Sequence, residues 1–208
     1  MIKAFFLIFE PSETWDRINR ERRGYLYILG VYLLPMIVLV SVAEGWGLAS
    51  WGKWQPKFQK YKTFTDGNVI SFEIIQTALL LLMVFLSALL LLKISQTFQS
   101  RRKYLEAFTT ITYAYSPLLL VRVLDAGPTV SPWATWGIGL MLTIWVLYQG
   151  IPRVMQPDPT HAFGLYLSAI FVIILTSGMV RLLTALYLLG EVNYQHSWLT
   201  HQFPSLFQ

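Results

Sequence analysis

The chain has 208 residues, of which 55% are hydrophobic and 13% are charged, and its formal net charge is +5. Soluble domains carry about 25% charged residues, so this composition excludes an ordinary soluble globular protein. The positive charge does not indicate nucleic-acid binding, because lysines and arginines cluster at the ends of apolar segments, as membrane topology requires. The absence of cysteine from the sequence excludes disulfides, thiolate metal sites and cysteine nucleophiles.

The first predicted element is an amphipathic helix within residues 1–24, in the stretch FEPSETWDRI. Pro11 suits the first helical turn, and Trp15 and Ile18, three residues apart, form a small apolar face. We expect this helix to lie along the cytoplasmic interface, with Trp15 facing acyl chains and the following arginines facing headgroups. A lid that packs Trp15 and Ile18 into the span ends is the alternative. The residues assigned to the interfacial anchor are Pro11, Trp15, Ile18, Arg22 and Arg23.

Long apolar runs then predict five transmembrane helices. About 20 apolar residues cross a bilayer as a helix, and backbone groups in lipid must be satisfied within the segment. The predicted fold class is therefore all-α, a polytopic membrane protein with its membrane domain at residues 25–190 and a short extracytoplasmic tail at 191–208. The predicted spans cover about 25–43, 69–92, 105–124, 133–150 and 162–189.

The orientation follows from the distribution of lysine and arginine. Ten of these residues fall on the side of the N-terminus, and four fall on the other side. Positive residues favour the cytoplasmic side, which predicts a cytoplasmic N-terminus and an extracytoplasmic C-terminus. The four opposing lysines lie together in the loop between the first two spans, which is short enough for the rule to count them. They are Lys53, Lys57, Lys60 and Lys62.

That loop, residues 44–68, is rich in aromatic residues. Tryptophans suit a membrane interface, where the indole body is apolar and its N–H stays hydrated. A second aromatic set recurs every third residue among the lysines, as an interfacial helix would place it. The loop is therefore either solvated with an aromatic belt or a partner-binding surface. The two sets are Trp46, Trp51 and Trp54, and Phe58, Tyr61 and Phe64.

Two prolines lie inside predicted spans. Pro35 falls in the first span and Pro117 in the third. Proline removes one helical hydrogen bond and usually kinks the helix. Both positions are predicted helix kinks, which serve either packing or a hinge beside a cavity.

Five ionisable residues are predicted to cluster within the membrane near its outer leaflet. Charged groups in lipid are costly and tend to pair, so we expect Arg181 to pair with Glu73 or Asp125, and Arg122 with a remaining carboxylate. A structural ion-pair network, snorkelling to headgroups, a cavity for a lipid headgroup or ion, and catalysis are the alternatives. The cluster comprises Glu44, Glu73, Arg122, Asp125 and Arg181.

Recognisable catalytic and metal-binding motifs are missing from the sequence. The histidines have no metalloprotease spacing, and no glycine-rich phosphate loop or nucleophile elbow occurs. The carboxylates show no evident acid–base pair. We therefore predict no enzyme activity, no metal and no cofactor.

Four short motifs resemble the Yip-domain family (Ypt-interacting proteins, the "Yip-one" fold). They are PSETWDRI before the first span, YLLP within it, TYAYSP in the third span and LYQGIP closing the fourth. The resemblance implies five spans, a cytoplasmic N-terminus and a short tail across the membrane. The residues that match the family pattern are Pro11, Trp15, Tyr113, Pro117, Tyr148 and Gly150.

The resemblance also suggests a functional class. Eukaryotic members are implicated in vesicle trafficking and contact prenylated Rab-type GTPases, but this sequence lacks their long N-terminal region and is more similar to compact bacterial members. We therefore expect a non-enzymatic scaffold or adaptor of a bacterial cytoplasmic membrane. Its expected partners are membrane lipids with anionic headgroups at the cytoplasmic face, and a protein partner or second copy. A small transporter or lipid-handling protein is the alternative.

Overall fold

Helices account for most of the described residues in the computed structural model, which describes residues 2–55, 60–62, 66–98 and 103–188. This confirms the predicted helical membrane fold. Among these residues the helices are α1 (Ile2–Phe9), α2 (Pro11–Glu21), α3 (Tyr25–Tyr27), α4 (Leu34–Ser50), α5 (Asp66–Thr97), α6 (Tyr104–Ala114), α7 (Ser116–Arg122), α8 (Pro132–Gly150) and α9 (Ala162–Leu188). Two π-helical segments, Ile28–Leu33 and Ile151–Met155, and a 3₁₀ segment, Val123–Ala126, continue the helices.

Five continuous helical segments are long and apolar enough to cross a membrane. They are Tyr25–Ser50, Gly67–Thr97, Tyr104–Ala126, Pro132–Met155 and Ala162–Leu188. The third segment lies at the centre of the bundle, since 78% of its most apolar window is buried, against 39–44% in the other four. The other spans therefore leave most of their residues outside the buried interior, and the third is the most deeply buried of the five.

The first span is longer than predicted. It continues to Ser50, so Glu44 and Trp46 lie inside helix α4 and not in a loop. The predicted boundary coincides with the first charged residue, Glu44, and the structure buries that residue within the bundle. The fourth span is also longer, because the π-helical segment extends it to Met155.

The connection between the first two spans contains two short strands. Strands β1 (Lys53–Gln55) and β2 (Lys60–Lys62) pair antiparallel. Tyr61 is therefore in a strand and not in an interfacial helix. Phe58 and Phe64 lie outside the described residues, as does the predicted tail at 191–208.

Both predicted kink prolines lie where the helical hydrogen-bond pattern changes. The π-helical segment Ile28–Leu33 ends two residues before Pro35, and the N–H of Leu34 donates to the carbonyl of Leu29, five residues back. This wider turn precedes a residue that has no N–H to donate. In the third span, α6 ends at Ala114 and α7 begins again at Ser116, one residue before Pro117. The third span therefore consists of α6, α7 and the 3₁₀ segment, with the α-helical pattern interrupted at Tyr115.

Close helix contact at Gly47 gives a stability prediction. A Cβ at this position would lie 2.3 Å from the carbonyl oxygen and 2.6 Å from the Cα of Ala126. These are backbone atoms, so α4 and the end of the third span would have to separate. We expect Gly47→Ala to lower the free energy of unfolding by about 1–3 kcal/mol, measured by thermal or denaturant unfolding in detergent micelles.

Gly30, in the same span, provides the matched control. A Cβ there would meet nothing within 4 Å, so Gly30→Ala should leave stability unchanged or slightly higher. Equal stabilities of the two variants would contradict the close approach at Gly47.

Candidate functional site

The bundle has two ends, which we name by their contents. The α2 end contains α2, the start of the first span and the second π-helical segment. The opposite end contains the β1–β2 hairpin and the junction between the third and fourth spans. Each end holds one group of functional candidates.

Trp15 forms the centre of the α2 end. Its side chain is completely buried, and its indole N–H donates to the carbonyl oxygen of Val146 in α8 at 2.9 Å. A Cβ on Gly150 would lie 2.5 Å from two atoms of the indole ring. The ring therefore occupies space that exists only because residue 150 has no side chain.

Trp15 and Ile18 do not face lipid as the anchor interpretation requires. Ile18 is 5% exposed and Pro11 is also buried, so the apolar face of α2 is covered by protein. The structure has the alternative arrangement, in which α2 is a lid on the span ends. The anchor interpretation missed the complementary surface, which is supplied by α8, more than 130 residues later in the chain. Arg22 and Arg23 are exposed.

The tyrosine motif of the third span meets this lid. Tyr113 contacts Trp15 edge-on with 6.2 Å between ring centroids, and packs against Tyr32 of the first span at 4.3 Å. The Tyr32 hydroxyl is 2.5 Å from the Ser116 hydroxyl. Tyr115 points to the other side, where its hydroxyl lies within 2.9 Å of two hydroxyls, from α5 and α9. The motif therefore ties the lid, the first span and the centre of the bundle together.

Helix α1 was not predicted and belongs to the same assembly. It buries Ala4 and Leu7, and Lys3 donates to Glu21 at 2.6 Å, which closes α1 against the end of α2. This hydrogen bond, supported by Arg23, lowers the pKa of the Glu21 carboxyl below its usual range. A second polar contact joins Arg153, in the π-helical segment Ile151–Met155, to Asp16 of α2 at 3.2 Å.

A cavity of about 270 Å³ opens beside the lid. It lies between α2, the start of α6 and the two π-helical segments, Ile28–Leu33 and Ile151–Met155. Tyr113 contributes to its wall, so the cavity reaches the aromatic cluster. Its charged lining residues are Glu21, Arg22, Arg23, Lys103 and Glu106.

The ionisable residues predicted to cluster do meet at the opposite end. Arg122 is buried and donates to Glu44 at 3.3 Å and to the side-chain oxygen of Gln76 at 2.6 Å. The Gln76 nitrogen donates in turn to the same Glu44 oxygen at 2.8 Å. These three side chains come from different spans and close a hydrogen-bonded triangle. The sequence reading missed Gln76 because it is uncharged, although it lies one turn after Glu73.

Arg181 forms the second half of this cluster. Of its two predicted partners, the structure pairs it with Asp125, to which it donates a short hydrogen bond. It also donates to the Thr135 hydroxyl and the Pro132 carbonyl oxygen, each at 2.9 Å. Thr135 donates to Asp125 at 2.6 Å. Both charges are buried and are held by several hydrogen bonds, as groups of opposite charge in lipid require.

The two halves of the cluster share one very small cavity. Arg122, Thr135 and Arg181 line it, and its volume is about 10 Å³. That is close to the smallest space that holds a single water molecule. The cavity therefore leaves no room for a headgroup or a hydrated ion between the two arginines, and the arrangement favours a structural network.

Glu73, the fifth predicted member, has a different environment. One carboxylate oxygen receives a weak hydrogen bond from Gln76 at 3.4 Å. The other oxygen, Oε1, is buried and accepts no hydrogen bond within the described part of the chain. Glu73 faces a groove between α4 and α5 on the outside of the bundle, so it adjoins the ion pairs without being paired itself.

The described residues contain no group of three side chains able to hold a metal ion. His161 lies at the α2 end, 3.7 Å from Asp158. His196 and His201 fall outside the described residues.

Comparison with known proteins places the chain in a family. The sequence model of the Yip1 domain matches residues 5–180, which include Trp15, the tyrosine motif, Gly150 and the Arg122–Glu44 ion pair. No curated protein and no solved structure matches the chain. Because the family match covers most of the sequence and the described residues contain five helices long and apolar enough to span a membrane, the chain is a membrane protein that belongs to the Yip1 domain family.

Proposed function

We propose that this protein is a non-enzymatic scaffold or adaptor of a bacterial cytoplasmic membrane, with its α2 end in the cytoplasm and its tail outside. In this role the membrane bundle is a fixed support, and the α2 end presents a surface to anionic headgroups and to a protein partner. Such a role requires a closed bundle and an accessible polar face.

The observation that carries this proposal is the closed interior beside Arg181. A transporter or lipid-handling protein needs a polar path or cavity that reaches the buried charges. Here Arg122 and Arg181 are engaged by Glu44 and Asp125, and the space between them is about 10 Å³. This geometry favours a structural role for the cluster over transport.

The surface of the α2 end supports the second part of the proposal. Arg17, Arg20 and Arg22 are exposed and form no salt bridge with any residue in the described ranges. Basic residues near an anionic membrane surface gain about 1 kcal/mol each. The proposed cytoplasmic placement of the α2 end would put these arginines at the leaflet that is rich in anionic lipid.

A cysteine-labelling experiment tests both the orientation and the adaptor role, because the native chain has no cysteine. Arg20→Cys marks the α2 end, and Thr129→Cys marks the exposed loop at the opposite end. In intact spheroplasts a membrane-impermeant maleimide should label Cys at 129 and should reach Cys at 20 only after permeabilisation. A benzophenone attached at position 20 should then give a discrete protein adduct on illumination.

Phe171 of α9 provides the control position for this experiment. Its side chain is 65% exposed on the outside of the bundle, where lipid is expected, so a benzophenone there should give lipid adducts only. Labelling of position 20 from outside would overturn the orientation. Lipid adducts alone at position 20, under growth conditions in which the protein is expressed natively, would overturn the adaptor role.

A further inference from the structure

The outer surface of the bundle carries an apolar groove between α4 and α5, near the opposite end. Its volume is about 470 Å³, which is within the range of small-ligand sites. Apolar surface forms most of its wall, and Gly45 lets α4 approach the Glu73 side chain of α5 closely. Glu73 is the only ionisable side chain among the described residues that line it. The aliphatic wall residues are Val42, Val69, Ile70 and Ile74.

The carboxylate of Glu73 lacks a donor in this groove. Its Oε1 atom is buried and accepts no hydrogen bond of normal geometry from any described residue, while Oε2 has a 3.4 Å contact with Gln76 and the Ser41 hydroxyl lies near the carboxyl group. A buried acceptor without a partner has lost its hydration without gaining a hydrogen bond, and the cost is larger if the group is charged. The site therefore has an unmet requirement for a hydrogen-bond donor that arrives from outside the bundle.

The charge balance of the neighbouring cluster specifies which kind of donor. Arg122 and Arg181 are engaged by Glu44 and Asp125. Within the described part of this end, Glu73 is the remaining carboxyl group of the cluster, and it forms no salt bridge. A positively charged donor would satisfy both its oxygen and its charge, and such charge-assisted hydrogen bonds are the strong ones.

The position of the groove specifies where the donor is found. Glu73 lies seven residues after the start of α5 at Asp66, which is about 10 Å along the helix. Trp46 lies at the rim and is 62% exposed, as is typical of a membrane interface. The groove therefore runs from the headgroup level into the acyl-chain region.

We propose that this groove binds an aminophospholipid, whose primary ammonium group donates a hydrogen bond to Glu73 while an acyl chain lies along Val42, Ile70 and Ile74. A phosphatidylethanolamine headgroup has the required N–H donors and positive charge. Phosphatidylcholine has the same charge and phosphate but no N–H. This lipid site goes beyond the scaffold role proposed above and does not depend on it.

Native mass spectrometry of the purified full chain tests the site directly. Phosphatidylethanolamine and phosphatidylcholine with identical acyl chains are added in equal amounts, and the ratio of the two bound lipids is measured. We expect about a tenfold preference for phosphatidylethanolamine, as one charge-assisted hydrogen bond provides. Glu73→Gln, which keeps the size of the side chain and removes its charge, should reduce the ratio to about one.

A second pair of variants tests the groove without changing the carboxylate. Val42 and Val38 are both exposed on the same face of α4, one turn apart, and only Val42 lines the groove. Val42→Trp should fill the groove and abolish the preference, whereas Val38→Trp should preserve it. If Glu73→Gln unfolds, the valine pair decides the question.

Three results would overturn the proposal. The first is equal retention of the two lipids by the native chain. The second is a preference that survives both Glu73→Gln and Val42→Trp. The third is an occupant of another kind, recognised as stronger retention of phosphatidylglycerol than of phosphatidylethanolamine, or as a dimer that Val42→Trp dissociates.

Discussion

Replacing Arg181 by leucine should destabilise the bundle by about 3–5 kcal/mol, which is the usual cost of breaking a buried ion pair by removing one partner. The substitution leaves the Asp125 carboxylate buried without its guanidinium, and it removes the donors to Thr135 and to the Pro132 carbonyl. These groups hold the start of α8 against α9. The measurement is unfolding in detergent micelles, monitored by size-exclusion chromatography as the temperature at which the purified protein no longer elutes as a single monodisperse peak.

Two further variants separate charge from geometry. Arg181→Lys keeps the charge but cannot reproduce the planar fork that reaches Asp125, Thr135 and Pro132 together, so we expect an intermediate loss. The double replacement Arg181→Leu with Asp125→Leu removes both charges, and it should be less destabilising than the sum of the single changes.

A surface arginine provides the matched control. Arg17 is exposed on α2, and Arg17→Leu should change stability by no more than about 0.5 kcal/mol. Equal effects of the two leucine substitutions would show that the network at Arg181 is not structural, and a transport role for this end of the bundle would then gain support.

The sequence was sufficient to predict five helices of membrane-spanning length and the four residues that form the two buried ion pairs. Spans are encoded locally, since roughly 20 apolar residues must form a helix in lipid. The ionisable residues near one end of each span must then meet if each is to find a partner. Of the two predicted partners of Arg181, however, the structure pairs it with Asp125 and not with Glu73. Which carboxylate reaches Arg181 depends on the rotation of each span about its own axis, and the apolar pattern does not encode that rotation.

The hidden contributors to the cluster show a second limit. Gln76, Thr135 and the carbonyl of Pro132 complete the coordination of the two arginines, yet none is charged. Their roles arise from position within the bundle, because a buried guanidinium has five donors to satisfy. The number of guanidinium N–H donors left over by the ion pairs predicts that uncharged acceptors must lie nearby, but it does not identify which residues supply them.

Helix α2 shows a third limit of sequence-based prediction: an amphipathic pattern does not reveal whether its apolar face contacts lipid or protein. Trp15 and Ile18 form an apolar stripe whether they face acyl chains or protein. What decides between them is the matching surface on α8, where Gly150 leaves room for the indole. This complementarity joins residues that are far apart in sequence, and short-range pattern reading does not detect it.

The second large effect is therefore expected at this contact. Trp15→Ala should lower the free energy of unfolding by about 3–5 kcal/mol, because it removes a fully buried aromatic side chain and its hydrogen bond to Val146. The lid should open as a result. Trypsin should then cleave faster at the exposed arginines of α2, which a time course of limited proteolysis with mass detection would show.

The opposite change tests the same contact from the other helix. Gly150→Ala places a Cβ 2.5 Å from the Trp15 ring and should cost about 1–3 kcal/mol. With Trp15→Ala already present that space is empty, so the double variant should be more stable than additivity predicts. Gly137, also in α8, provides the control, because a Cβ there would have no atom within 4 Å. Gly137→Ala should therefore leave the free energy of unfolding unchanged.

The combination of these variants distinguishes a lid from a lipid anchor. If Trp15 faced acyl chains in the membrane, Gly150→Ala would have no effect on it and the two substitutions would be additive. A measured coupling shows instead that α2 is fixed to the end of the fourth span by one indole ring. Because Tyr113 and Tyr32 continue the contact from that ring to the first and third spans, anything that displaces α2 also changes the packing of the bundle.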